Sequence, residues 1–183
     1  MIMNFPTVEI LNQIDLTNIL NRVSDEDSFK QYINLSAGTE HYRLLAWFSH
    51  QFNNNTIVDV GSFKGFSAAA LSNNPLNKIY SFDICDSVVL NPIPENVKFI
   101  IDSFQNHLDL VRNSPIIFYD TVHDGIHETE FMNWLSYINY TGTVIFDDIY
   151  LNNEMIQFWN NIKYKKLDIT SIGHWSGTGI VWL

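Results

Sequence analysis

From Thr56 onward the chain alternates short apolar runs with helix-length stretches. The runs are TIVDV (56–60), KIYSFDI (78–84), NVKFII (96–101), PIIFYD (115–120) and TVIFDD (143–148). They are rich in β-branched and aromatic residues and apolar on both faces, as parallel strands covered by helices are. Helical candidates between them span 66–72, 103–111, 128–138 and 153–161. This order predicts an α/β, Rossmann-like, doubly wound and mostly parallel sheet with right-handed crossovers. The end of the chain departs from the repeat. LDITSI (167–172) and GIVWL (179–183) flank GHWSG, a link too short for a crossover helix, so an antiparallel hairpin is expected at the sheet edge.

Residues 7–50 read as a helical lead-in. Val8, Leu11, Ile14, Leu16, Ile19, Leu20 and Val23 are spaced by helical intervals. Ser24 to Asp27 breaks the pattern and caps a short helix through Tyr32, and Thr39 is a candidate cap for a helix carrying Tyr42, Leu45, Ala46 and Phe48. Asn53-Asn54-Asn55 and Asn73-Asn74 read as polar loops. A length of 183 residues fits one domain, with a lead-in over 1–50 and a core over 56–183.

Composition narrows the function classes. Hydrophobic residues make up 46% and charged residues 16%, the balance of a globular chain. A net charge of −10 repels phosphate backbones, so no nucleic-acid partner is expected, and Lys163, Lys165 and Lys166 read as an exposed helix end. The single Cys85 allows no intrachain disulfide and no CxxC metal site, and reads as a strand-end packing residue. MIMNFPTVEI has no signal-peptide pattern and no apolar stretch reaches bilayer length, so a soluble cytoplasmic protein without a membrane partner is expected. The oligomeric state is not legible.

The chemistry concentrates after the strands. In DVGSFKGFS, Asp59 ends a buried strand, Gly61 lets the backbone turn or approach a ligand, Gly65 permits close packing as a helix opens, and Ser62 and Ser67 supply hydroxyls near free backbone donors. The spacing is GxxxG and lacks the GxG that brings amides against a dinucleotide pyrophosphate. Asp83 follows the second strand, where a carboxylate can accept both hydroxyls of a ribose; Asp86 competes for that role. Asp102-Ser103 follows the third strand.

Across residues 38–183 the chain resembles class I S-adenosylmethionine-dependent methyltransferases of the small O-methyltransferase type. TIVDVGSFKGFSAAALS resembles their glycine-rich motif, IYSFDI their ribose-binding strand, and IIFYDTVHDG and TGTVIFDDIY their fourth and fifth strands. The resemblance implies a seven-stranded sheet. It places Asp59, Gly61, Ser62, Gly65 and Ser67 around the methionine part of the cofactor, Asp83 at the ribose and Asp102-Ser103 at the adenine. Glu40 is a candidate for the cofactor's amino group, and Asp120 is a candidate both for the cofactor and, with His123, for catalysis.

Asp120, Asp147 and Asp148 end the fourth and fifth strands and are expected at the same rim. Carboxylates so placed repel one another unless a cation intervenes, so Mg2+ or another divalent ion on Asp120, Asp147 and Asp148 is a candidate. Metal-dependent proteins of the resembling group carry Asp-Asn or Glu-Asp where this chain has Asp147-Asp148, and often an acidic residue where it has Val122. His123, beside Asp120, is the candidate general base for a small-molecule or sugar hydroxyl. His127 reads as a surface residue and His174-Trp175 as part of a packed hairpin. Two other readings remain open, an NAD-type Rossmann oxidoreductase and a binding protein that keeps the fold without activity.

Overall fold

The computed structural model describes residues 4–183. Its strands are β1 (Thr56–Val60), β2 (Lys78–Asp83), β3 (Val97–Ile101), β4 (Ile116–Tyr119), β5 (Thr143–Asp147), β6 (Lys165–Asp168) and β7 (Thr178–Trp182). They form one seven-stranded sheet in the order β3-β2-β1-β4-β5-β7-β6. Strands β1 to β5 are parallel, and β7 runs antiparallel to β5 and β6. The five apolar runs are therefore strands, each within one residue of its expected bounds. The hairpin forms as well, but its first strand is displaced. Asp168 Oδ1 accepts from the N–H and hydroxyl of Thr170, which ends β6 and starts a 3-10 turn over Thr170–Ile172. Lys165 and Lys166 thus belong to an edge strand and not to a helix end.

The helices are α1 (Val8–Leu11), α2 (Thr17–Leu20), α3 (Lys30–Ile33), α4 (Tyr42–Ser49), α5 (Phe66–Leu71), α6 (Leu108–Arg112), α7 (Ile126–Tyr137) and α8 (Asn153–Asn161). The lead-in is three single turns followed by α4. Thr39 does not cap α4, whose N-cap is His41 without a side-chain bond. None of the described helices is long and apolar enough to cross a membrane.

Side chains alternate across the sheet, which divides the core in two. Ile57, Ile79, Phe118, Ile145 and Ile180 pack with α4, α5 and the lead-in turns. Val58, Val60, Ile117, Tyr119, Phe146 and Val181 pack beneath α7 and α8, against Phe131, Leu135 and Trp159. By the same alternation Asp59 shares the face of Ile57 and points under α5.

Asn74 and Asn77 are more than loop residues. Asn77 is fully buried and Asn74 nearly so. Asn77 Nδ2 donates to the carbonyls of Ser49 (2.7 Å) and Phe52 (3.0 Å), and its Oδ1 accepts from Asn55 N–H at 3.2 Å. Asn74 Nδ2 donates to the same two carbonyls at 3.1 and 2.8 Å. Ser49, the last residue of α4, is fully buried, and these amides satisfy its carbonyl and that of Phe52, which have no helical partner. Because Asn74 backs up both carbonyls, Asn77→Ala strands chiefly the Asn55 N–H. It should lower unfolding free energy by about 2 kcal/mol, read from a shifted urea midpoint; an unchanged midpoint would show that the clasp carries no stability.

Candidate functional site

The strand order reverses between β1 and β4, and open α/β sheets bind ligands in the crevice at such a switch. The turns after these two strands meet there. Gly61 has φ +99°, and a Cβ built on it would lie 1.6 Å from the Asp120 carbonyl oxygen. The N–H groups of Gly61 and Ser62 both donate to Phe82 O, at 2.9 and 3.2 Å, and Asp120 N–H donates to Val60 O at 2.9 Å. Only glycine fits this junction.

Over the junction opens a cavity of about 610 Å³. Of the residues expected at a cofactor, Gly61, Asp83, Asp102, Ser103 and Asp120 line it. Asp83 is anchored by the N–H groups of Phe63 (2.9 Å to Oδ2) and Cys85 (3.1 Å to Oδ1). Each of its oxygens keeps a further lone pair. Asp86 is exposed and does not line the cavity, whereas Cys85 is an exposed wall residue and not a packed strand end. The Asp102 carboxylate is committed to its own turn, accepting from Ser103 N–H (2.7 Å) and Asn106 Nδ2 (2.8 Å).

Asp59, Ser62, Gly65 and Ser67 stand behind the wall rather than in it. Asp59 Oδ2 accepts from Ser81 Oγ (2.5 Å) and Ser67 Oγ (3.2 Å), and Ser62 Oγ lies 2.6 Å from Ser81 Oγ. This buried chain ties β1 to β2 and α5. Gly65 opens α5 with φ +89°, and a Cβ there would press on Phe99 at 2.9 Å and Leu90 at 3.0 Å.

On the far side of Asp120 lies a cluster of four carboxylates and three imidazoles. His123 Nε2 is 3.0 Å from Asp120 Oδ1 and 3.5 Å from Asp148 Oδ2. Asp147 Oδ2 is 3.3 Å from Nδ1 of both His41 and His174. His174 Nδ1 is also 3.0 Å from Asp148 Oδ1, and its Nε2 is 3.6 Å from Glu40 Oε1. Glu40 therefore faces His174, not the cavity.

The three aspartates expected to share a metal do not converge. His123 stands between Asp120 and Asp148, while Asp147 Oδ2 and Asp148 Oδ1 both lie against Nδ1 of His174. Among the described residues the group whose ligand atoms lie within 4.8 Å of one another is His41, Asp147 and His174.

Solved structures resemble this arrangement of strands and helices. The S-adenosylhomocysteine-bound methyltransferase PaMTH1 from Podospora anserina superposes with a TM-score of 0.63 at 14% identity, over 92% of this chain and 87% of that one. The O-methyltransferase TomG from Streptomyces achromogenes, in complex with S-adenosylmethionine, gives 0.53 at 12% identity, over 97% of this chain and 99% of that one. The chain has the methyltransferase fold. No protein-family model matches it, and no curated protein does.

In this methyltransferase fold the rim charges reset one another. Burial pulls the His123 imidazole down, but the Asp120 contact and the charges of Asp120, Asp148 and Asp147 push it up to about 9. His174 is likewise opposed by burial, yet Asp147, Asp148 and Glu40 carry it up to about 12. His41 is raised against its burial by the charge of Asp147, and Asp147 is held well below the ordinary carboxylate range by His41 and His174 despite its burial. Asp120 moves the other way, raised by burial more than His123 lowers it. Burial also lifts Asp59 to about 7 against its two serine bonds. The neighbouring carboxylates thus favour the protonated form of His123 at neutral pH.

The loop that presents His123 is pinned by a residue that sequence read as a plain helix start. Glu128 is buried, and its carboxylate accepts from the N–H groups of His123 (3.2 Å) and Gly125 (2.8 Å). Asn152 Nδ2 donates to His123 O at 2.8 Å. The Gly125-x-x-Glu128 spacing carries this signal, since a glutamate at the third helical position reaches back to the cap. His127 pairs with Asp124 at 2.8 Å and forms part of the cavity wall. His41 and His174 had no such signal, being distant in sequence.

A His raised in the folded state adds stability that is complete below its unfolded pKa and lost as pH rises through the folded one. For His123 that window runs from about 6.5 to about 9. NMR titration should place its midpoint near 9, and Asp120→Asn should lower it by about one unit or more. A wild-type midpoint near 6.5 would contradict the ion pair.

Proposed function

We propose that the protein is an S-adenosylmethionine-dependent methyltransferase acting on a hydroxyl of a small molecule or sugar. The observation that carries this reading is the cavity at the β1–β4 switch, with the side-chain-free Gly61 junction at its base and the anchored Asp83 carboxylate in its wall. Its volume is that of a small-molecule site. Asp83 has acceptor lone pairs for two ribose hydroxyls. Phe82, Ile84 and Phe104 give an apolar wall for a heterocycle, beside the Ser103 hydroxyl. The cofactor would supply a methyl group already activated on a sulfonium, so the residues need only position, exclude water and hold a proton.

Asp120 joins the two halves of the site, since it lines the cavity and pairs with His123. With its carboxyl raised by burial, Asp120 is the group suited to receive the acceptor hydroxyl's proton, and protonated His123 steadies the charge there. The lead-in and the sheet act as one unit in this reading, because His41 at the start of α4 reaches Asp147 at the end of β5. The acidic rim favours a cationic cofactor and offers nothing to a phosphate backbone.

Isothermal titration with S-adenosylhomocysteine tests the reading. Micromolar binding is expected, weakened at least about tenfold by Asp83→Ala, equivalent to about 1.4 kcal/mol. No heat with the wild-type protein at high micromolar ligand would reject it.

A further inference from the structure

We propose that His41, Asp147 and His174 form a binding site for a divalent transition-metal ion of the Zn2+ or Mn2+ kind. The assignment stands on these side chains and does not depend on the methyltransferase reading. It also differs from the three-aspartate site expected from the sequence, sharing only Asp147.

The first support is distance. Asp147 Oδ2 lies 3.3 Å from Nδ1 of each histidine. A charge-assisted N–H···O bond draws its atoms to about 2.8 Å. Ligand atoms that share one ion at about 2.1 Å stand about 3.0 to 3.4 Å apart, depending on coordination number. The two Asp147–imidazole separations have that spacing, and all three ligand atoms lie within 4.8 Å of one another.

The second support is a pair of unsatisfied atoms. His41 and Asp147 are 4% and 3% exposed, and His41 Nδ1 and Asp147 Oδ1 have no hydrogen-bond partner. Leaving such atoms unpaired is costly; an ion between the three groups takes the lone pair of His41 Nδ1, and it reaches Asp147 Oδ1 where the carboxylate chelates through both oxygens.

The surroundings are those of a metal site. Glu40 Oε1 stands 3.6 Å from Nε2 of His174, the ring nitrogen away from Asp147. A carboxylate behind a ligating imidazole orients the ring and raises its basicity. Asp148 Oδ1, 3.0 Å from His174 Nδ1, is a further donor at the edge, and Ser176 Oγ, 2.8 Å from the same nitrogen, donates to Asp148. Two imidazole nitrogens favour a transition metal over Mg2+, which prefers oxygen and bound water. An ion there offsets the charge of Asp147 and Asp148 beside Asp120, where it would acidify a bound hydroxyl.

Full-length protein stripped with EDTA should be reloaded with Zn2+ by equilibrium dialysis and with Co2+ for its visible spectrum. We expect one ion per chain, Co2+ bands of nitrogen coordination, and no displacement by a large excess of Mg2+. His174→Ala and Asp147→Asn should each weaken binding at least about tenfold, and Glu40→Gln by about tenfold, while Asp120→Asn stays within about threefold. Failure of the folded wild-type chain to bind either ion would overturn the proposal, as would Mg2+ displacement. So would binding lost in Asp120→Asn but kept in His174→Ala, which would return the ion to the aspartates. If the variants misfold, wild-type NMR decides, since Zn2+ must shift the His41 and His174 imidazole signals. S-adenosylhomocysteine titration of the same preparations keeps the two readings separate.

Discussion

Two turns of backbone meet between β1 and β4 with no space for even one side-chain carbon. The Gly61 turn rests against the Asp120 carbonyl, and the N–H groups of Gly61 and Ser62 hold Phe82 O. Three strand ends are thereby set against one another through main-chain contacts alone. Asp83 follows Phe82 directly, and Asp120 is itself part of the junction. The carboxylate in the cavity wall and the carboxylate at the acidic rim are therefore positioned by the same constraint. Any residue larger than glycine at 61 would have to part the strands that carry both.

Around this junction the protein handles buried negative charge in two ways. Asp59 is isolated and served by serine hydroxyls, so it drifts towards neutrality. Asp147 is surrounded by imidazoles and stays ionised in full burial. The distinction is one of partners, because uncharged donors do not offset a charge in a low-dielectric interior as cations do. Asp120 lies between these extremes, with one imidazole on one side and the cavity on the other.

What could be read from the sequence follows from what is local. Five strands were visible because β-branched apolar runs bounded by polar turns leave few alternatives. Gly61 and Asp83 were legible as positions on the cavity because each sits at the end of its own strand. Asp59, Ser62 and Ser67 lie behind the cavity wall rather than in it. Alternation along β1 turns Asp59 to the face of Ile57, beneath α5, where the serines meet it. His41 and His174 could not be placed, since one precedes α4 and the other lies between β6 and β7, and only the finished sheet brings them to Asp147. The asparagine clasp was hidden for the same reason. Nothing near Asn77 in sequence announces buried carbonyls at the end of α4.

The antiparallel insertion of β7 between β5 and β6 has a consequence for how the chain acquires its charge balance. During synthesis, residues 165–168 emerge before the strand that pairs with them, and β5 waits with an open edge. Such an edge invites wrong partners; only on β6, the outer edge of the finished sheet, do Lys165 and Lys166 discourage them. His174 and Ser176 sit in the link between the two strands, so the negative charges of Asp147 and Asp148 lack these partners until β7 slides into its gap. Strand pairing and charge neutralisation then occur in one event. A nascent chain that has made β5 but not β7 carries both an unpaired edge and uncompensated charge, and the arrival of β7 with the link before it resolves them together.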